Sequence, residues 1–188
     1  MKKWLVGLSV IVCLIAMGGI ITGCSELLRL PTTTTTSTTT STTTTVIATI
    51  LGDVNGDGYS DVIVGAMGAD GGGENRGQAY VYFGGTSMDN TADVTFSGGA
   101  DYDNFAVSVS SAGDVNGDGY VDVIVGAYYA DGGGTNSGQA YIYFGGTSMD
   151  NTADVTITGG AEWDGLGYSV SSAGDVNGDG YVDVIVGA

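Results

Sequence analysis

The sequence predicts an all-β chain of four-stranded antiparallel β-propeller blades, repeated every 61 residues and preceded by a disordered Thr-rich tether. Three observations carry this prediction. The segment GDVNGDGYSDVIVGA starts at Gly52 and returns nearly unchanged at Gly113 and Gly174, and residues 53–100 match residues 114–161 at 40 of 48 positions. Each unit strings short β-branched and aromatic runs between glycine-rich turns, the pattern of short strands. A four-stranded unit of this kind leaves both faces bare until neighbouring copies cover them, which is how propeller blades stack. A parallel β-helix is the rival architecture, but its coils are much shorter than 61 residues.

The chain begins with Lys2 and Lys3, followed by a charge-free run from Trp4 to Gly23. A basic start and an apolar core read as an export signal over residues 1–23. The run closes on Ile21-Thr22-Gly23-Cys24, which resembles the bacterial lipobox. That resemblance implies that Cys24 becomes the lipidated first residue and anchors the chain to a membrane; Cys13 follows the bulky Val12 and does not fit. An uncleaved transmembrane anchor is the alternative, because 20 apolar residues suffice to cross a bilayer. Either reading leaves the rest of the chain outside the cytoplasmic membrane, in the cell envelope.

Residues 24–45 form the tether. Between positions 32 and 45 every residue is threonine except Ser37 and Ser41. Such a tract has no apolar face with which to offset its ordering entropy, so it is expected to be an extended spacer. Thr/Ser tracts beside proline resemble O-glycosylated stalks; a bare flexible linker is the alternative.

Residues 46–188 hold the repeats, with blade 1 at 46–104, blade 2 at 105–165 and a partial blade 3 at 166–188. In the second unit the expected strands are Val107 to Ser111, Val121 to Ala127, Gln139 to Phe144 and Asp154 to Thr158. Val123-Ile124-Val125 is continuously apolar, as suits an inner strand covered on both faces. Gly145-Gly146 reads as the tight turn between the third and fourth strands. Two blades and a fragment fall short of the four to eight that close a ring, which implies a truncated sequence or self-assembly of several chains.

Each repeat opens with Asp-x-Asn-x-Asp-Gly-x-x-Asp, placing oxygen-bearing side chains at positions one, three, five and nine. Alternate residues of a tight loop point inward, so Asp53, Asn55, Asp57 and Asp61 are expected to converge with the Tyr59 carbonyl. The second set is Asp114, Asn116, Asp118, Tyr120 and Asp122; the third is Asp175, Asn177, Asp179, Tyr181 and Asp183. Three carboxylates with oxygen as the sole donor favour calcium over magnesium, which keeps its waters, and over zinc, which wants nitrogen or sulfur. An EF-hand or dockerin loop opens the same way, but position twelve would then be an acid and is instead Val64, Val125 or Val186. A strand, not a helix, is expected to follow.

The unit resembles the FG-GAP repeat of integrin α-chain propellers over residues 46–188. The carrying residues are Phe105-Ala106-Val107-Ser108-Val109 and Leu166-Gly167-Tyr168-Ser169-Val170, each followed by GDVNGDGYVDVIVGA. The leading pair departs from Phe-Gly in both copies, and the proline that closes the second signature of the family is replaced by Met67 and Tyr128. The resemblance implies structural calcium in the loops joining the first and second strands, with ligands approaching the opposite face. That face would be formed by residues 67–76 and 128–137 and by the loops around Tyr102 and Trp163. Tyr102, Tyr128, Tyr129 and Trp163 are its candidate contacts for a glycan or protein, with packing between blades as the alternative role.

Charge and composition exclude several classes. The net charge is −17, with Arg29 and Arg76 as the cations beyond the N-terminal lysines, so no nucleic-acid partner is expected. Histidine is absent and the cysteines are Cys13 and Cys24, which removes His-based triads, zinc clusters and structural disulfides. The expected function is a non-catalytic adhesion or ligand-binding module at the cell surface. The alternatives are the propeller part of a polysaccharide-acting enzyme, using Asp101, Asp103, Glu162 or Asp164, and a structural surface-layer spacer.

Overall fold

The computed structural model describes residues 35–37 and 46–188; the expected export signal, Cys24 and the rest of the tether lie outside the described residues. Among the described residues there are eleven strands and no helix. They are β1 (Thr35–Ser37), β2 (Val46–Ile50), β3 (Val62–Ala66), β4 (Gln78–Tyr82), β5 (Val94–Ser97), β6 (Ser108–Gly113), β7 (Asp122–Ala127), β8 (Gln139–Tyr143), β9 (Val155–Thr158), β10 (Ser169–Gly174) and β11 (Asp183–Gly187).

Blade 1 is the antiparallel meander β2-β3-β4-β5, blade 2 is β6-β7-β8-β9, and the third unit contributes the hairpin β10-β11. The four strands expected in the second unit are therefore present, within two residues at each end. Gly113 and Gly174, at φ +78 and +73, mark the bulges that close β6 onto β7 and β10 onto β11. The leading strands sit side by side, β2 against β6 and β6 against β10, as radial stacking requires. Among the described residues the sheets do not close into a ring.

Alternation along β7 explains its unbroken apolar run. Val123 and Val125 join the cluster between blades 1 and 2, where Ile63, Val81, Phe96 and Phe105 are buried. Ile124, between them, points to the other face and joins Ala140, Ile142, Val170 and Val184 between blade 2 and the third unit. In β11, Val184 and Val186 pack on the same cluster, whereas Ile185, the equivalent of Ile124, faces no further sheet among the described residues and is 61% exposed.

Two expectations need correction. The tether is not wholly unpaired, because β1 pairs antiparallel with β2 and makes the first sheet five-stranded. The free edge of β2 offers unsatisfied backbone groups, and β-branched threonine suits that position. Gly145-Gly146 is not a tight turn either: eleven residues, 144–154, separate β8 from β9. Asp154 closes that connection by accepting the Phe144 N–H at 2.7 Å and donating its own N–H to the Ile142 carbonyl. Gly145 is there for close approach, since a Cβ on it would meet the Val121 and Val54 carbonyls, whereas Gly146 has open space around it and holds φ +145.

Candidate functional site: the acidic loops and the opposite aromatic face

The three acidic loops, residues 53–61, 114–122 and 175–183, join the first and second strands of their units, as expected. Each wraps around its first aspartate. Asp53 accepts the N–H groups of Gly56 (2.7 Å), Asp57 (3.0 Å) and Gly58 (2.7 Å). Asp114 and Asp175 hold their own loops through the equivalent three bonds. Gly58, Gly119 and Gly180, at φ +88, +91 and +93, supply the left-handed turn. Asn55 accepts from the Asp57 N–H, and Asp57 takes the Tyr59 N–H at 2.9 Å and the Asn55 amide at 3.2 Å.

The ninth-position acids behave differently. Asp61 and Asp122 are fully buried. Asp61 accepts the Val54 N–H at 2.8 Å and the Gly84 N–H at 2.7 Å, and Asp122 accepts those of Val115 and Gly145, both at 2.8 Å. Burial pushes the Asp61 carboxyl above the usual range; its two N–H bonds oppose this, and the negative charges of Asp57 and Asp53 add to it. Asp122 is raised likewise, by burial first, with Asp118 and Asp114 adding. Sequence reasoning gave no sign of Gly84 and Gly145, whose partners stand 23 residues away in the chain.

The structure thus brings Asp53, Asn55 and Asp57 together and sets Asp61 behind them as a clamp on the next connection. Among the described residues no three carboxylates meet at a common point. In kind, the donor set suits a hard cation: every acidic or amide side chain in each loop offers oxygen, and each first-loop carboxylate, with about four lone-pair sites, keeps at least one free beyond the two or three N–H bonds it accepts. Beside the second loop, an open recess of about 350 Å³ lined by Asp118, Tyr120, Phe144, Met149, Asp150 and Asp154 leaves Asp118 accessible to solutes.

The opposite end is built from the β3–β4 and β7–β8 connections and the interblade loops, knit by Tyr102 N–H to Glu74 carbonyl, Phe105 N–H to Arg76 carbonyl and Trp163 N–H to Thr135 carbonyl. Tyr128 and Tyr129 lie with ring centroids 4.0 Å apart, and Tyr168 meets Tyr128 edge-on at 5.5 Å. Tyr168 is 63% exposed and belongs to this cluster, which the sequence reading had not included. Its signal was available: the second repeat has Tyr128, Tyr129 and Tyr168 follows it, where the preceding copy has Met67, Gly68 and Val107. Tyr102 and Trp163 stand apart from it, 53% and 68% exposed, at equivalent positions. Both hold left-handed backbone, φ +66 and +67, unusual for bulky residues. A hydrogen bond to Glu74, more than desolvation, raises the Tyr102 phenol.

Of the four carboxylates weighed for catalysis, Asp101, Asp103 and Asp164 are engaged in this framework, and Glu162 is exposed. Asp103 and Asp164 cap tight turns by accepting the Ala100 and Ala161 N–H groups at 2.9 and 2.8 Å, and Asp101 pairs with Arg76 at 2.8 Å.

A family model described as the FG-GAP repeat matches residues 47–82, 105–143 and 166–188, just over half of the chain. Integrin alpha-5 of Xenopus laevis is 32% identical over 148 residues, covering 72% of this chain and 14% of the integrin. Integrin alpha-6 of Homo sapiens is 34% identical over 137 residues, covering 72% of this chain and 12% of the integrin. Phosphatidylinositol-glycan-specific phospholipase D of Homo sapiens is 32% identical over 130 residues, covering 63% of this chain and 15% of that protein. The chain therefore spans only 12–15% of the length of these relatives.

Proposed function

Because the chain belongs to the FG-GAP repeat family, we propose that it is a non-catalytic adhesion or ligand-binding module displayed at the cell surface, with structural calcium on one face and its ligand on the other. The observation that carries the ligand face is the tyrosine cluster. Successive copies differ at few positions, yet two differences between the first and second, Tyr128 and Tyr129, and one between the second and third, Tyr168, introduce tyrosines that meet in space. Solvent-facing aromatic rings with hydroxyl tips suit the faces of sugars or the side chains of a protein.

Asp53, Asn55, Asp57 and Asp61 with the Tyr59 carbonyl would hold calcium in the first loop. Asp114, Asn116, Asp118, Tyr120 and Asp122 would do so in the second, and Asp175, Asn177, Asp179, Tyr181 and Asp183 in the third. The ion would supply positive charge to clustered acids and fix the hairpin between first and second strands. Lipidation at Cys24 and the Thr-rich tether would hold the blades outside the cytoplasmic membrane, free to reach an extracellular protein or glycan.

The test is binding of calcium-loaded protein to arrays of glycans and extracellular proteins, repeated with Tyr129→Ala and Tyr168→Ala. Retention that falls at least tenfold in the variants, with unchanged melting, supports the reading. Absence of any retained ligand, or retention indifferent to both substitutions, counts against it.

A further inference from the structure

The three acidic loops are joined to one another. Val121, at the end of the second loop, donates its N–H to the carbonyl of Asp53 in the first at 3.2 Å, and Val182 donates to Asp114 at 3.1 Å. The Tyr120 ring lies against Gly56 so closely that a Cβ there would strike it, and Tyr181 lies in the same way on Gly117. The first contact repeats one blade later, so it belongs to the repeat and not to one junction.

A second route connects the buried acids. Asp61 accepts the Val54 N–H at 2.8 Å, the Val54 carbonyl accepts the Gly146 N–H at 2.7 Å, and the neighbouring Gly145 N–H reaches Asp122 at 2.8 Å. The ninth-position acids of adjacent loops are thereby linked through Val54 and the Gly145-Gly146 pair.

Resting on the calcium reading above, we infer that adjacent loops bind cations with positive cooperativity, and that the ring of Tyr120, with that of Tyr181 one blade on, is the positioning element that couples them. Ordering residues 53–58 around an ion fixes both the Asp53 carbonyl and the Gly56 surface. The second loop rests on these through Val121 and Tyr120, so part of its conformational freedom is already gone before its own ion arrives. Two sites that share an ordering step bind more tightly together than alone. By reciprocity, an ion in the second loop favours the first by the same factor.

The experiment is calorimetric titration of the full chain in detergent micelles with calcium alone, repeated for Tyr120→Ala, Tyr120→Phe and Asp118→Asn. Tyr120 contributes to its own loop through the main-chain carbonyl, so Tyr120→Ala keeps every candidate ligand oxygen of the second loop and removes only the phenol side chain. It is expected to keep the bound-ion count while lowering the Hill slope towards one and weakening first-loop affinity about 5-fold or more, the ordinary scale of such coupling. Tyr120→Phe, which keeps the ring, restores the slope. Asp118→Asn disables the second loop with little change of shape, and is expected to weaken the first and third loops although neither is touched; it also serves if Tyr120→Ala fails to fold. Calcium bound with a slope of one, and first-loop affinity indifferent to both Tyr120→Ala and Asp118→Asn, overturns the coupling and leaves the calcium reading standing. No calcium bound by the wild-type chain removes both.

Discussion

Phe96 of blade 1 stacks on Tyr143 of blade 2, with ring centroids 3.8 Å apart and planes inclined by 17°. Both rings are buried, at 0% and 4% exposure, so the contact joins β5 and β8 across the interblade boundary. The matching position in the second copy is Ile157, which belongs to the smaller cluster against the third unit. Truncating Phe96 to Ala removes a buried ring from a formed interface and is expected to cost about 3–5 kcal/mol. Phe96→Ile, the residue the other copy uses, is expected to lose less because more of the volume is kept. Urea unfolding of the two variants checks the order; equal losses would show that the volume kept by Ile contributes nothing and that the stacked ring itself carries the contact.

How much of this was legible depended on whether a feature is local. Alternation in Val123-Ile124-Val125 and the turn glycines mark strands within a unit, and the Asp-x-Asn-x-Asp-Gly string marks the loop that follows the first strand. Contacts between copies leave no such mark. Nothing adjacent in the chain tells that Gly56 must be bare because Tyr120 lies on it, or that Asp61 reaches Gly84. Gly145-Gly146 differs from its local signal for that reason: a glycine pair signals a turn, whereas Gly145 makes room for the Val54 and Val121 carbonyls and the pair donates its N–H groups to Asp122 and Val54. The aromatic face was half legible. Tyr128 and Tyr129 stand out as adjacent rings, but the arrival of Tyr168 depends on how the third unit docks.

Two glycines separate backbone conformation from crowding. Gly77 has φ +83, and a Cβ there would strike the Phe105 carbonyl; Gly72 has φ +101 with open space around it. Gly72→Ala is expected to cost about 1–3 kcal/mol from left-handed backbone alone. Gly77→Ala bears the same cost and must also displace the chain that leads into blade 2, so its loss exceeds that of Gly72→Ala. Denaturant midpoints measure both, and a loss at Gly77 no larger than at Gly72 would mean that the Phe105 segment yields freely.

Calcium removal tests the loops without mutation. A ligand held at 100 times its dissociation constant adds about 2.7 kcal/mol per site to stability. Differential scanning calorimetry with saturating calcium and then with excess chelator is expected to show a lower melting temperature after chelation, restored by calcium and not by equimolar magnesium, which keeps its waters. Asp57→Asn lowers the charge of the first loop and is expected to narrow the difference between the two scans. Superimposable scans with and without chelator would remove the cation from the fold.

Asp103 supplies a pH signature independent of the loops. It is 7% exposed, and burial, more than the charges of Asp131 and Asp101, raises its carboxyl above the usual range against the opposing Ala100 N–H bond and Arg76. In the unfolded chain an aspartate titrates near about 3.9. A folded value above that means the native state holds its proton more tightly. The stability this contributes is complete below the unfolded value and is lost as pH rises through the folded one. Asp103→Asn keeps an oxygen for the Ala100 N–H and cannot titrate. The stability of the variant relative to wild type is therefore expected to climb between about pH 3 and pH 7, since the proton-linked term of the wild type disappears over that interval. Urea unfolding in calcium-free buffer across the interval reads the difference, in which the loop carboxylates, common to both proteins, cancel. A difference that stays level would mean that burial leaves the Asp103 carboxyl unshifted, and one that falls with rising pH would place the carboxylate in a stabilising field; either is contrary to its burial beside Asp101 and Asp131.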